Sequence, residues 1–214
     1  MRLLIARHGA TQYNLDARFT GQVDVPLSPL GERQSQALAE GLAGVHLDAL
    51  ISSDLRRALA TAAPIAHLRG LDVQPDPDLR EISVGSWSDR TWEAIRTEEP
   101  EVVARFEADS VNVAPPGGES VAQLRDRAAR ALDRWYAAYP ESDVLWVTHG
   151  GFLAALLCHV LGMDLIRRWQ FRRDNASLTE LAATEGRIIL IRLNDTGHLV
   201  GLSTGEQAET SQVL

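Results

Sequence analysis

Leu3-Leu4-Ile5-Ala6-Arg7-His8-Gly9-Ala10-Thr11-Gln12-Tyr13-Asn14 is the stretch on which the fold turns. Leu3 to Ala6 is an unbroken apolar run of strand length, read as a buried strand. Arg7 and His8 then stand side by side where that strand should end. Two distant segments repeat the arrangement. Leu50-Ile51, a short apolar strand, leads into Ser52-Ser53-Asp54-Leu55-Arg56-Arg57-Ala58, and the strand Val144 to Val147 leads into Thr148-His149-Gly150-Gly151. In an open parallel sheet, ligands bind outside the carboxyl ends of the strands. His8, Arg57 and His149 each lie at or just beyond such an end, so the pattern predicts that they meet.

The elements between these strands read as helices. After a loop through Pro26, Ser28-Pro29 supplies an N-cap and a first-turn proline. The helix that follows sets Leu30, Ala37, Leu38, Leu42 and Val45 on one face. Ser53-Asp54 is read as the cap of a second helix, reaching about His67, and Val73 as a third strand. Ser120 to Tyr139 forms a helix with the stripe Val121, Leu124, Ala128, Leu132, Trp135 and Tyr139. Gly151 to Leu161 is a mostly apolar helix, and Ser177 to Ala182 and Arg187 to Leu193 are two further strands. Arg80 to Pro116 reads as less regular and holds three of the nine prolines. Alternating strands and helices imply an α/β fold, a three-layer α/β/α sandwich around a mostly parallel central sheet. Residues 1–202 are expected to form one catalytic domain with a smaller irregular or helical cover at about 86–116, and 203–214 a polar tail.

Composition narrows the chemistry. The chain has 214 residues, is 45% hydrophobic and carries a formal net charge of −8. That charge argues against general affinity for nucleic acid or acidic membranes. All 21 basic residues are arginine, which excludes Schiff-base chemistry and the lysine-dependent phosphate loop. Any anion must be held by local arginine forks. The apolar stretch near Gly151 to Met163 is too short and interrupted to span a bilayer. The N-terminal apolar run is cut short by Arg7 and His8, so it is read as a strand and not a signal peptide, and the protein as cytoplasmic. The single cysteine, Cys158, sits in an apolar helical pattern and reads as an inert core thiol.

A neutral imidazole attacks phosphorus when one ring nitrogen is aimed at it and the other is held by a hydrogen bond. Taken alone, His8 reads equally well as a structural histidine; a metal-ligand role is disfavoured because no carboxylate or second histidine stands at ligand spacing. Arg7 and Arg57 suit the gripping of phosphoryl oxygens. Arg57 near a helix start needs a compensating anion, either Asp54 or a bound phosphate. Arg56 points elsewhere and reads as surface. His149 precedes Gly150 and Gly151 at a helix start, where amides are open to an anion, and a protonated His149 would add positive charge there.

These motifs together resemble the histidine phosphatase superfamily, the phosphoglycerate-mutase-like group. Arg7 to Asn14 meets its Arg-His-Gly-x-Thr-x-x-Asn motif, Ser53 to Ala62 its Ser-Asp-Leu-x-Arg-Ala-x-x-Thr-Ala motif, and Thr148 to Gly151 its Thr-His-Gly-Gly motif. Gly21, Asp24, Pro26-Leu27-Ser28, Gly31 and Pro116-Gly117-Gly118-Glu119-Ser120 follow its spacing as well. The resemblance covers Leu3 to about Leu199. It implies a phosphohistidine on His8, with Arg7, Arg57 and His149 around the phosphoryl group, and no metal or organic cofactor. It assigns the proton donor to Glu81 of Leu79-Arg80-Glu81; an alkoxide leaving group needs protonation. Asn14, Thr20, Gly21 and Gly150 are expected to contact the phosphate or substrate. One departure stands out: where the family continues Gly-x-Trp-Glu-Gly, this chain has Gly85-Ser86-Trp87-Ser88-Asp89, which implies an altered loop shape.

A mutase needs extra cations for a second anionic group. The cover has Arg90, Arg96 and Arg105 against Asp89, Glu93, Glu98, Glu99, Glu101, Glu107 and Asp109, and the family's mutases carry a longer, more basic insertion here. The expected activity is therefore hydrolysis of small phosphate monoesters, with phosphoglycerate mutase the alternative and an inactive phospho-ligand binder a lesser one. Asn175-Ala176-Ser177-Leu178-Thr179-Glu180-Leu181 is similar to the tails of broad-specificity family phosphatases. The expected partner is a small phosphorylated metabolite, acted on by a monomer or homodimer. Trp87, Trp92 and Phe106 read either as pocket lining or as core.

Overall fold

The computed structural model describes residues 1–184 and 187–202; the tail expected at 203–214 lies outside the described residues. Strand β1 (Arg2–Arg7) shows the two-residue period of a strand covered on both faces. Leu3 and Ile5 enter one apolar cluster, Leu4 and Ala6 the other. The loop after it contains a short helix, α1 (Gln12–Leu15), which the loop reading missed; it is held by a capping box between Thr11 and Asn14. Helix α2 (Pro29–Gly41) starts at the expected cap, with Ser28 Oγ accepting from the Gly31 amide at 3.2 Å.

Strand β2 (Ala49–Ser52) leads to α3 (Arg56–Arg69), and here the cap reading is corrected. Leu55 occupies the N-cap without a side-chain bond, because Ser53 and Asp54 are drawn to partners elsewhere in the fold. Strand β3 (Val73–Pro75) follows. The segment read as irregular holds α4 (Trp92–Glu98) and α5 (Pro100–Ala108), whose short length leaves little periodicity to see. Thr91 caps the first and Pro100 opens the second. Helix α6 (Val121–Ala138) begins at a Ser120–Gln123 capping box, and is followed by β4 (Asp143–Thr148), α7 (Gly150–Val160), β5 (Leu178–Thr184) and β6 (Arg187–Asp195).

The sheet order is β3-β2-β4-β1-β5-β6, and β5 alone runs against the other strands. Helices α2 and α3 bury Leu38, Leu42, Ala58, Ala62 and Ile65 on one face of the sheet. Helices α6 and α7 cover the other, with Leu124, Leu132, Phe152 and Leu156 in a cluster that also takes up the cover. Trp87 packs edge to face with Trp92 and Phe106, and Trp92 does so with Phe19, so these rings are core and not pocket lining. Each large apolar side chain buried this way contributes about 1.5–3 kcal/mol. At the departure from the family pattern, Asp89 has φ +63°, a left-handed conformation that glycine adopts freely, and its amide donates to the Phe19 carbonyl at 2.8 Å. Among the described residues no helix is long and apolar enough to cross a membrane.

The loop after β1 is tied to both helices on its face. The Ala10 amide donates to Gln34 Oε1 at 2.8 Å, the Gly9 amide to Thr61 Oγ1 at 3.0 Å, and the Ala10 carbonyl accepts from Ser28 N at 2.9 Å. This approach requires glycine at the start of α2: a Cβ on Gly31 would lie 2.0 Å from the Ala10 carbonyl oxygen. Gly31→Ala should therefore destabilise the protein by about 1–3 kcal/mol, despite alanine's higher helix propensity. Gly44→Ala, with open space around it, should stay within about 0.5 kcal/mol of the parent. Urea unfolding of both variants checks the contrast, and equal midpoints would contradict the close approach.

Candidate active site

Parallel pairing of β1 with β4 brings Arg7 opposite Thr148, so the next residues, His8 and His149, emerge side by side at the carboxyl edge. Their ring centroids are 5.0 Å apart. The His8 amide donates to the Thr148 carbonyl at 2.9 Å, while its own carbonyl accepts from Asn175 Nδ2 at 3.0 Å and Ala176 N at 3.1 Å. His8 Nδ1 lies 2.7 Å from the Gly9 carbonyl. A carbonyl can only accept, so Nδ1 carries the proton and Nε2 keeps its lone pair. Burial, then Arg57 and Arg7, push the His8 imidazolium well below its usual range, and the ring is neutral near pH 7.

The arginines are buried and bound to main-chain carbonyls. Arg57 Nη1 and Nη2 donate to the carbonyls of Val23 and Gly21, both at 2.8 Å, and its Nε has no partner. Arg7 Nη1 donates to the Arg173 carbonyl, and its Nε is likewise unpartnered. Asp54 is not the counter-ion of Arg57. It forms a two-point pair with Arg80 at 2.6 and 2.5 Å, because the side chain turns towards the strap that carries Glu81. Burial pushes Arg57 down to about 10, which leaves it charged near neutrality. Arg56 is exposed, as read.

His149 Nε2 sits 2.8 Å from Ser53 Oγ, and its buried Nδ1 has no partner. Burial, Arg57 and His8 push it well below the usual range, which favours the neutral ring. Glu81 reaches the first turn of α7, where Oε2 accepts from Gly151 N at 3.0 Å and Oε1 from Phe152 N at 3.1 Å. A Cβ on Gly151 would lie 2.4 Å from Glu81 Oε1, so this approach needs glycine there. Gly150 is less constrained: an added Cβ would lie 3.3 Å from Arg7 Nε, a tight contact.

The other expected contacts divide. Asn14 Oδ1 is occupied by Thr11 and Asn175, which leaves its amide nitrogen as the available donor. Gly21 acts through its carbonyl on Arg57, at φ +49°. Thr20 is half-buried beside Gly21, and its carbonyl accepts from the Val23 amide at 2.9 Å. Three contributors escaped the sequence reading: Ser53, Asn175 and Arg173, whose Nη1 donates to the Gly150 carbonyl at 3.2 Å. Arg173 is pushed down to about 10 by burial and by Arg7. Its signal was the pair Arg172-Arg173 just before β5, which repeats the Arg56-Arg57 pair after β2. Among the described residues, no three His, Cys, Asp or Glu side chains gather as metal ligands.

The family model for the histidine phosphatase superfamily (branch 1) matches residues 3–196. The chain belongs to that superfamily. Within it, the chain is 33% identical over 199 residues to phosphoserine phosphatase 1 of Hydrogenobacter thermophilus, covering 93% of this chain and 94% of that one. It is 34% identical over 181 residues to a probable phosphoglycerate mutase of Proteus mirabilis, with 85% and 84% covered. The crystal structure of the alpha-ribazole phosphatase from Shigella flexneri superimposes with a TM-score of 0.86 at 30% identity, over 91% of this chain and 96% of that one. These superfamily members share the scaffold and differ in the reactions and substrates that their names state.

The two buried histidines make stability depend on pH. Their folded pKa values lie below the ordinary 6.5, so the unfolded chain takes up protons that the folded site refuses. Stability present above about pH 6.5 is lost as pH falls, at about 1.4 kcal/mol per pH unit for each histidine. Urea unfolding at about pH 7.5 and about pH 5.5 should show a larger loss in the parent than in a His8→Asn/His149→Asn variant, up to about 3 kcal/mol. Parallel slopes would mean that the histidines are not held neutral.

Proposed function

We propose that the protein is a phosphatase that hydrolyses small phosphate monoesters through a phosphohistidine on His8. The observation that carries this reading is the lone pair on His8 Nε2, set among the guanidiniums of Arg7 and Arg57 with their Nε donors unpartnered. A phosphoryl dianion placed there satisfies those donors and offsets the buried charge. Nε2 attacks phosphorus, the N–P bond forms, and the ester P–O bond breaks. Glu81, protonated on an oxygen with a free lone pair, gives its proton to the departing alkoxide. Water then attacks the phosphohistidine and yields its proton to Glu81, so inorganic phosphate leaves and His8 is restored. His149 and Arg57 face the charge that develops on the transferring group, and Asn14 and Gly150 lie at its margin.

Hydrolysis is favoured over mutase chemistry by the cover. Arg90 is consumed by ion pairs to Glu98 and Glu99, and Arg96 and Arg105 are exposed. None of the three is a free buried cation for a second phosphate. A cleft of about 500 Å³ beside the strap that carries Glu81 has a polar lining that includes Gln22, Ser83, Gln123, Asp126 and one exposed cation, Arg130, and suits a hydroxyl-bearing leaving group. The reaction needs no metal, because arginine supplies the charge that a cation would. Action in the cytoplasm fits the single cysteine, Cys158, which is buried and unpaired.

His8→Ala should abolish turnover of an aryl phosphate and the acid-labile phosphoenzyme trapped by rapid quench, with the fold kept. Glu81→Gln should lower kcat/KM for alkyl phosphates by about 10²–10⁴ and for aryl phosphates far less. Activity should survive dialysis against a chelator. A normal phosphoenzyme in His8→Ala, or chelator-sensitive turnover, would overturn the corresponding part of the mechanism.

A further inference from the structure

The strap from Asp78 to Glu81 has no strand partner, yet all four of its carbonyls are bonded. Thr148 Oγ1 takes that of Leu79 at 2.8 Å. The other three go to one side chain on α6. Arg127 Nη1 donates to the carbonyls of Asp78 and Arg80 at 2.8 and 2.7 Å, and Nη2 to that of Glu81 at 3.2 Å. The remaining contacts of the guanidinium pair it with Glu119, Nε to Oε1 at 3.0 Å and Nη2 to Oε2 at 2.7 Å. All three guanidinium nitrogens are thereby engaged, with both side chains largely shielded from water. Gln22 Nε2 adds a second bond to the Glu81 carbonyl at 3.0 Å. Arg127 also lies 5.9 Å over the ring of Phe152, the residue whose amide binds the Glu81 carboxylate.

We propose that Arg127, locked by Glu119, is the positioning residue of the proton donor, fixing Glu81 at its main chain and at the Phe152 ring beside its carboxylate. A peptide strap without a sheet ladder needs its hydrogen bonds from side chains. Arginine's rigid fork gathers three carbonyls that lysine's single ammonium cannot gather in the same geometry. Because Glu81 acts on the leaving group, a shift of about 1 Å in the strap is felt in proton delivery far more than in phosphoryl binding. Glu119 therefore serves the acid through Arg127 and is not a free anion facing the cleft.

This inference rests on Glu81 being the proton donor, and the test separates the two. Arg127→Met and Glu81→Gln are compared, singly and together, by kcat/KM on an alkyl phosphate and on 4-nitrophenyl phosphate, whose leaving group needs little protonation. Arg127→Met should lower the alkyl value about 10- to 100-fold and the aryl value at most a few-fold, and should add no further selectivity in the Glu81→Gln background. Should Arg127→Met fold poorly, Glu119→Gln gives the same selectivity at smaller size, and Arg127→Lys should not restore the alkyl rate. Equal losses on both substrates in Arg127→Met, with Glu81→Gln selective, would overturn the positioning role. Equal losses in Glu81→Gln would overturn the proton-donor reading itself, and the positioning role with it.

Discussion

Three buried arginines are bonded to peptide carbonyls and to no carboxylate: Arg57 to those of Gly21 and Val23, Arg7 to that of Arg173, and Arg173 to that of Gly150. A carbonyl orients a guanidinium and replaces some of its lost hydration, but it does not cancel the charge. The positive charge is therefore kept for a ligand. An ion pair would hold the same side chains more cheaply and leave nothing for an anion to neutralise. Much of the fold around the sheet edge follows from this choice. The loop 20–25 lies over α3 because its carbonyls are the ligands of Arg57, and the chain before β5 lies against Arg7 for the same reason.

The uncancelled charge also fixes the state of the histidines. Arg57 and Arg7 disfavour an imidazolium at either ring, so both rings are held towards the neutral form without a carboxylate partner. Its tautomer is set by the Gly9 carbonyl, a local contact that survives whatever binds beyond it. Glu81 is the nearby negative charge that both Arg7 and Arg57 feel, and its position matters accordingly. Carboxylates that would have competed for these arginines are occupied elsewhere: Asp54 by Arg80, Glu119 by Arg127.

Strands and helices were legible where one period dominated. Leu3 to Ala6, Val144 to Val147 and the stripe of α6 are legible from their periods, and strand-end placement alone joins His8, Arg57 and His149. The errors arose where a residue's local and tertiary uses compete. Ser53-Asp54 looks like a helix cap, but a hydrogen bond to His149 and an ion pair to Arg80 outweigh capping, so α3 starts without one. Arg127 was invisible because a bond to a carbonyl leaves no trace in sequence, since every residue offers one, and Arg173 left only its pairing with Arg172. The cover hid α4 and α5, which are too short to show a face.

The site separates two recognition problems that the sequence presented as one. The phosphoryl pocket is built from main-chain carbonyls, strand ends and a helix start, all set by the backbone. The cleft beyond Glu81 is built instead from side chains, Gln22, Ser83, Gln123 and Asp126 among them, on a turn and on α6. Those side chains lie outside the pairing of β1 with β4 that sets His8 beside His149. Arg127 stands at the junction. It holds the acid for the first problem and, through Glu119 and Gly118 at the start of α6, shapes the wall of the second. A change of substrate that moves this wall must keep the strap in place, or the acid moves with it.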